Sequence, residues 1–451
     1  EGRLISLIMS FLNPDSCPCS KSELDLVSVP PTQTAIENST LVEYRPVSTL
    51  SDDGPIEFFI PGDSADYIDP AHTYLYVQCK LTKADGTALA AGATAADAGD
   101  VAAPVNNFLH SLFQQVDVML NDTLISSSAG FYPYRAYIEN LLNYTAEAKN
   151  THLTSELWYA DTPGQFNKID NDDNAGFKQR KSIAATSKVF DMYGKLHSDF
   201  TAQSRLLVNK TSIRIKLHRS KNSFCIMSAA NSNYKVNLLN VSLYAKRVTV
   251  SASTGLSHGN ILQHSTLRYP IIRVETKTHT IPQAVTTYNL DNIFMGAVPK
   301  RLIIGFVNNE AYNGKYEANP FFFETMNVNK LQLQVGSKSI PTTPLTPDYT
   351  NDLYIQCYKT LFSGTGIFFQ DTGNAISRFD YAKGYTLYAF ELGPSMESTD
   401  NTWDVVHDSP VTLKLGFSAP LASSVTCVLY AEFNSLIQID KNRNVFTDYT
   451  R

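Results

Sequence analysis

Residues 116–125 read VDVMLNDTLI, and residues 331–340 read LQLQVGSKSI. In both stretches apolar residues alternate with mostly polar ones, and a turn signal follows, Asn121-Asp122 in the first and Gly336-Ser337 in the second. This period of two is typical of a strand with one buried face, and the turn residues predict a hairpin. The stretches lie 215 positions apart (331 minus 116), so the chain is predicted to contain two similar β units.

Two trios of mainly apolar or aromatic residues follow these hairpins at the same lag. A spacing of four places each trio on one face of a short helix. Strand, turn and helix are therefore predicted to recur together, which indicates an internal duplication. The trios are Tyr134, Ile138 and Leu142 in the first unit, and Tyr349, Leu353 and Cys357 in the second.

The length and composition agree with two β domains. A chain of 451 residues is long enough for two domains of about 200 residues, a common size for β-sandwiches. Charged residues make up only 18%, whereas Tyr and Phe number 24 each, which favours strands over helices. The fold class predicted is all-β: two tandem eight-stranded jelly-roll β-sandwiches, a double jelly roll, with short helices and long loops.

The predicted domain limits follow changes in this pattern. Residues 1–50 show no sustained period and are predicted to form an extended N-terminal arm. Residues 51–255 are assigned to the first jelly roll and residues 256–451 to the second. The small, polar segment 251–264 is the predicted linker between them.

Two long loops are predicted within the first unit. Segment 84–104 is rich in Ala, Gly and Asp and is expected to be exposed. Segment 161–181 is the other loop, and it ends in a basic cluster. Lys178, Arg180 and Lys181 of that cluster are interpreted as a solvated part of the loop.

The net charge and the hydropathy argue against nucleic acid binding and against a transmembrane segment. The net charge of −6 provides no broad basic surface for phosphates, so sequence-specific nucleic acid binding is not expected. No stretch of about twenty apolar residues occurs, so no transmembrane segment is predicted.

No catalytic, cofactor-binding or metal-binding residue is predicted. The nine histidines are scattered and form none of the zinc or cupin motifs, and no nucleophile elbow or phosphate loop is present. Cys17-Pro-Cys19 lacks a second pair at metal-site spacing, so a zinc site is not expected there. Cys79 and Cys427 are in phase with the apolar residues of strands and are predicted to be buried, free thiols.

Seven short segments, taken in their order along the chain, match the pattern of one known family. They are KSELDL at 21–26, PPTQTAIE at 30–37, AYNG at 311–314, NPF at 319–321, IPTTPLTPDY at 340–349, RFDY at 378–381 and GYTL at 384–387. In these segments the chain resembles the major capsid protein of Polintons, also called Mavericks, and of the related adintoviruses. The resemblance extends from about residue 9 to the end, and it departs from the family pattern at Phe323-Glu324 and in the eight residues before Met9.

The resemblance implies a structural protein rather than an enzyme. Three copies would form a homotrimeric, pseudo-hexagonal capsomer that tiles the icosahedral shell of a double-stranded DNA element. The implied partners are neighbouring capsomers, a single jelly-roll penton protein and minor capsid proteins, and the implied location is the virion capsid, assembled inside the host cell. The arm would lie along the inner face of the shell and reach neighbouring subunits.

A second class of function fits two tandem β-sandwiches. Such a protein could be a monomeric carbohydrate-binding or carbohydrate-active protein that uses exposed aromatic rings as sugar platforms. Trp158, Tyr159 and Trp403 are the candidate rings, although packing in the core or in an interface also accounts for them. The two hypotheses differ in assembly, because only the capsid hypothesis requires a stable trimer.

Overall fold

The computed structural model describes residue 15 and residues 19–51, 54–91, 99–169, 173–230, 233–294, 296–396 and 402–448. These residues form antiparallel sheets with short helices between the strands. Cys17 of the Cys-Pro-Cys segment lies outside the described residues. Within the described part, no helix has the length and apolar character needed to cross a membrane.

The first half of the chain forms a sandwich of two four-stranded sheets. One sheet has the order β1-β10-β3-β7 and the other the order β2-β8-β5-β6, while β4 and β9 pair separately. The strands are β1 (Ile36–Tyr44), β2 (Ile56–Ile60), β3 (Tyr67–Lys83), β4 (Ala102–Pro104), β5 (Phe113–Leu120), β6 (Thr123–Ser127), β7 (Phe190–Lys195), β8 (Ile213–Arg219), β9 (Ile226–Ser228) and β10 (Tyr234–Val250).

The second half repeats this arrangement strand for strand. Its sheets have the orders β11-β18-β13-β16, with β19 beside β18, and β12-β17-β14-β15. The predicted double jelly roll of eight strands per sandwich is confirmed, since both halves share one strand order. The strands are β11 (Leu267–Ile281), β12 (Thr287–Leu290), β13 (Arg301–Asn308), β14 (Val328–Val335), β15 (Lys338–Leu345), β16 (Leu387–Glu391), β17 (Val411–Phe417), β18 (Val425–Ile439) and β19 (Val445–Thr447).

Short helices occupy the connections. Among the described residues the longest are α2 and α6, and three 3₁₀ turns are also present there. The helices are α1 (Phe108–Ser111), α2 (Tyr132–Asn143), α3 (Ala146–Asn150), α4 (Ala175–Ala184), α5 (Asn222–Cys225), α6 (Ala252–His264), α7 (Asn309–Asn313), α8 (Ile355–Ser363) and α9 (Arg378–Tyr381), and the 3₁₀ turns are Ser22–Leu24, His152–Glu156 and Ala185–Ser187.

The repeated hairpins of the sequence are the β5–β6 and β14–β15 pairs. Asn121 and Asp122 have φ values of 44° and 65°, and Gly336 has a φ of 56°. Asn, Asp and Gly tolerate this left-handed region better than other residues, so the turn chemistry that the sequence predicts is the chemistry that closes each hairpin.

The helix after the second hairpin begins later than its repeat predicts. Helix α2 contains the whole first trio, but α8 starts at Ile355, so of the second trio it contains only Cys357. Between Asp348 and Leu353 the backbone closes a turn, and the Asp348 carboxylate accepts hydrogen bonds from the amides of Thr350 and Asn351. This local bonding competes with helix formation, and the prediction of one helical face for the second trio is wrong.

Four segments that are expected to be irregular contain regular structure. Strand β1 lies within residues 1–50 and pairs with β10, so the sheet begins inside the predicted arm. Segment 161–181 contains most of α4, and segment 84–104 ends in the buried strand β4. The predicted linker 251–264 is helix α6, which begins where the Ser251 hydroxyl accepts from the Thr254 amide.

The core side chains lie between the paired sheets and continue from one sandwich into the other. Cys79 and Cys427 are fully buried and unpaired, as predicted. Burial raises the pKa of both thiols, because the interior disfavours the thiolate. Neither group is therefore poised as a nucleophile.

Candidate functional site: the interface between the two jelly rolls

Helix α2 carries two aromatic residues from the first sandwich into the second. Tyr137 stacks on Phe321 in parallel, with ring centroids 4.3 Å apart. Tyr134 meets Phe321 and Phe323 edge to face, at centroid distances of 5.7 Å and 6.4 Å. All four rings are buried. Buried aromatic pairs in these arrangements contribute about 0.5–1.5 kcal/mol each beyond their burial, so they fix the contact between the sandwiches.

A buried network of charged groups lies on another side of α2. Arg135 donates to Asp199 at 2.7 Å and to Glu139 at 2.9 Å. The second sandwich completes the network, because the Tyr430 hydroxyl lies 3.2 Å from Glu139 and the Val274 amide donates to Asp199 at 3.1 Å. Removing one member of such a network would leave an uncompensated buried charge.

The charge on Glu139 is stabilised by its partners. Burial disfavours the carboxylate, but the Arg135 guanidinium and the His197 imidazole outweigh that effect and lower the pKa of Glu139 to about 2. Glu139 is therefore ionised at neutral pH, although it lies inside the protein.

A second polar cluster joins the sandwiches around Asp161. Arg180 is fully buried and donates to Asp161 Oδ1 at 2.6 Å. Asn319 of the second sandwich donates to Asp161 Oδ2 at 2.9 Å, and the Tyr385 hydroxyl donates to the Asp161 backbone carbonyl at 2.9 Å. Each oxygen of Asp161 thus contacts a donor, and the carboxylate connects the two halves of the chain.

The interpretation of Lys178, Arg180 and Lys181 as a solvated loop is wrong for Arg180. The three residues lie on helix α4, where Lys178 is exposed and Lys181 is half-buried. Phe177, Arg180 and Ala184 form the buried face, at the spacings of three and four that a helix requires. That spacing, preceded by the capping residue Asn174, is the sequence signal by which the helix could have been found.

The structure brings together three residues that carry metal-binding atoms, although the sequence predicts no metal site. His110, Glu156 and His197 place their ligand atoms within 4.8 Å of one another. His110 lies on α1, Glu156 ends the 3₁₀ turn at 152–156, and His197 follows β7. No motif spacing marks them, because they come from three separate elements that only the tertiary fold assembles.

The three candidate aromatic rings differ in their exposure to solvent. Trp158 is buried and packs on Tyr137, with ring centroids 5.2 Å apart, and Tyr159 is half-buried. Trp403 is 53% exposed. Of the two tryptophans, both of which are described by the structure, only Trp403 is accessible to a ligand.

Exposed apolar side chains occur in the segment before β1. Leu26, Val27 and Val29 are 89%, 92% and 84% exposed, in a stretch with one 3₁₀ turn and no strand. Large apolar side chains that project into water in sequence are typical of a surface that contacts another molecule.

The strand order defines a double jelly-roll fold, and solved structures that share this fold include viral major capsid proteins. A chain from the cryo-EM structure of the Sputnik virophage superimposes with a TM-score of 0.67 at 13% identity, covering 97% of this chain and 94% of that one. The mavirus major capsid protein has a TM-score of 0.57 at 11% identity, covering 98% and 97%. A chain of the PBCV-1 virus capsid has a TM-score of 0.60 at 10% identity, covering 94% and 100%.

Comparison of the amino-acid sequence with known proteins identifies one relative and does not assign the chain to a family. No protein-family model matches the chain. A Caenorhabditis elegans protein, itself described as uncharacterized, is 26% identical over 427 residues, which cover 93% of this chain and 99% of that protein. The similarity extends through both jelly rolls, so the relative is expected to share the duplicated fold.

Proposed function

We propose that this protein is a major capsid protein of a Polinton- or adintovirus-like double-stranded DNA element. In this role it is structural and not enzymatic. The observation that carries the proposal is the duplicated jelly roll, whose likeness to the mavirus major capsid protein covers 98% of this chain. Sequence segments that resemble the Polinton family support the finer assignment.

Three copies of the chain would form the capsomer. Each copy supplies two sandwiches of the same strand order, so a homotrimer presents six similar units around its axis. A pseudo-hexagonal trimer can occupy the sixfold positions of an icosahedral lattice. The buried aromatic and ionic contacts between the sandwiches support this role, because they hold the two units of one chain together.

The proposed partners are neighbouring capsomers, a penton protein and minor capsid proteins. The exposed apolar residues before β1 are suited to contacts with such neighbours. Extended segments that order on binding cover a large surface for few residues, which suits assembly of a shell. The proposed location is the virion capsid.

Light scattering coupled to size-exclusion chromatography tests the trimer. The chain has a mass of 50.0 kDa, so a trimer weighs 150 kDa (three times 50.0). We expect that mass across a wide range of protein concentrations, and a pseudo-hexagonal outline in negative-stain electron microscopy. A protein that stays monomeric at all concentrations would contradict the proposal, and glycan binding by that monomer would support the carbohydrate-binding alternative.

A further inference from the structure

Three buried side chains of the first jelly roll converge on one point beneath the interface. The ligand atoms of His110, Glu156 and His197 lie within 4.8 Å of one another. His110 is fully buried, Glu156 is almost so, and His197 is about one-tenth exposed. Two imidazoles and one carboxylate are a common set of ligands for zinc in proteins.

The ring of His110 has one nitrogen bonded and one available. Nδ1 lies 2.9 Å from the Tyr132 hydroxyl, with which it forms a hydrogen bond. Nε2 is buried and lacks a hydrogen-bond partner, although Oε2 of Glu156 is 3.2 Å away. In the tautomer whose Nδ1–H donates to the Tyr132 hydroxyl, the Nε2 lone pair faces the Glu156 carboxylate, and one cation can bind both acceptors.

The second histidine is oriented in the way that is usual for a metal ligand. Nδ1 of His197 lies 2.5 Å from the carboxylate oxygen Oε2 of Glu139. A carboxylate at Nδ1 fixes the tautomer that leaves the Nε2 lone pair free for a metal. Glu156 is also held in place, since the Asn140 amide donates to its Oε2 at 3.0 Å.

The backbone leaves room for Glu156 at one position. A Cβ atom placed on Gly194 of β7 would lie 2.4 Å from the nearer carboxylate oxygen of Glu156 and 2.7 Å from Leu109. The absence of a side chain at 194 therefore allows the carboxylate to reach the two imidazoles.

We propose that His110, Glu156 and His197 bind one divalent transition-metal ion, for which zinc is the expected choice. Two imidazoles and one carboxylate favour zinc over magnesium or calcium, which prefer all-oxygen sites. Ligand atoms about 2.0–2.2 Å from a tetrahedral zinc ion lie about 3.4 Å apart, and the His110 Nε2 to Glu156 Oε2 distance is 3.2 Å. Water supplies the fourth ligand.

The role of this ion is structural. It joins α1, the turn at 152–156 and the segment after β7, which are distant in sequence. Through His197 it also positions Glu139, whose other oxygen contacts Tyr430 of the second jelly roll. Metal binding would thus stabilise the interface between the two sandwiches.

Metal content of the purified full-length chain tests this inference. After dialysis against zinc and then against metal-free buffer, mass spectrometry should detect one zinc ion per chain. Cobalt should substitute and give the intense visible absorption of a tetrahedral site, and EDTA should lower Tm. The variants His197→Gln and Glu156→Gln should each lose about tenfold or more in zinc affinity, and EDTA should no longer change their Tm.

His152→Gln is the matched control. His152 lies in the same 3₁₀ turn as Glu156, is exposed and contacts only the Tyr144 ring among aromatic groups, so this variant should bind zinc as the parent chain does. A folded parent chain that takes up no zinc or cobalt would overturn the inference. So would equal zinc content in the parent chain and in a folded Glu156→Gln or His197→Gln variant. Trimer formation is measured separately, so failure here leaves the proposed function standing.

Discussion

Arg180 shows how a single side chain can link sequence-distant parts of the fold. Its guanidinium lies at the centre of the Asp161 cluster and also donates to the carbonyls of Pro104 and Tyr159. Each of its three nitrogens thus donates one hydrogen bond, two of them to backbone carbonyls and one to a carboxylate. Burying its charge is costly, so its partners are required to stabilise it inside the protein.

The first prediction concerns this arginine. Arg180→Met should lower the free energy of unfolding by about 3–5 kcal/mol, because it leaves the Asp161 carboxylate buried without its cation. Lys178→Met on the exposed face of α4 is the control and should change it by less than about 0.5 kcal/mol. Denaturant unfolding measures both.

A double variant separates loss of the ion pair from loss of packing. Arg180→Met combined with Asp161→Asn should recover part of the loss, because the buried charge is then removed together with its partner. Additive effects of the two single changes would contradict the assigned role of the pair.

A second prediction concerns the pH dependence of Lys149. Burial lowers the pKa of its ammonium group from 10.5 to about 7, while its Nζ donates to the carbonyls of Leu141 and Asn374. Between pH 7 and pH 10.5 the unfolded chain binds the proton and the folded chain does not. Folding therefore becomes more favourable as the pH rises through this range, by about 2 kcal/mol between pH 7 and pH 9.

Urea unfolding at the two pH values measures this difference. Lys149→Met keeps the apolar stem beside Trp158 and removes the titrating group, so the rise should be about 2 kcal/mol smaller than in the parent chain. The same pH dependence in both proteins would show that Lys149 retains an ordinary pKa.

At the scale of elements, strand β1 and the segment before it have separate roles. Strand β1 pairs along its length with β10, from Ile36 opposite Val250 to Tyr44 opposite Leu243. The preceding residues 19–35 are exposed and include the three apolar side chains at 26, 27 and 29. The boundary between sheet and arm is therefore near residue 35.

The third prediction uses that boundary. Deleting residues 1–34 should leave the proposed trimer intact and reduce assembly into larger particles, because only the extended segment is lost. Deleting residues 1–45 should in addition lower the free energy of unfolding, since it exposes the edge of β10. Light scattering, electron microscopy and urea unfolding measure these effects.

A triple substitution in the full chain is the control for chain length. Leu26→Ser, Val27→Ser and Val29→Ser together should reduce assembly as the shorter deletion does, with unchanged unfolding, because these side chains are 84–92% exposed. Loss of the trimer in the triple variant would show that the arm acts within the capsomer instead.

At the scale of the whole molecule, the strand order is repeated in the two sandwiches, but the residues that form the contact between the sandwiches are not. The two sandwiches share one strand order, yet their contact surfaces differ: the first supplies α2, with Tyr137 and Glu139, and the second supplies Phe321 and Tyr430. The interface is therefore built from parts of the chain that are not equivalent in the repeat. This asymmetry orients one jelly roll on the other.

The sequence by itself determined the two repeated hairpins, their turns and the duplication. These features depend on the alternation of apolar residues and on turn residues such as Asn121 and Gly336, which act over a few positions. Helix α2 follows from the same local rules, whereas α8 was predicted too early because the turn at Asp348 interrupts the periodic pattern.

Only the tertiary structure decided which polar residues meet inside. Arg180 with Asp161 and Asn319, and His110 with Glu156 and His197, come from separate elements, and no local period records their contact. The free energy of such clusters depends on burial and on partners supplied by distant strands. Local sequence patterns therefore predict elements with a strong period, and the packing of all the elements determines which charges and ligand atoms share one site.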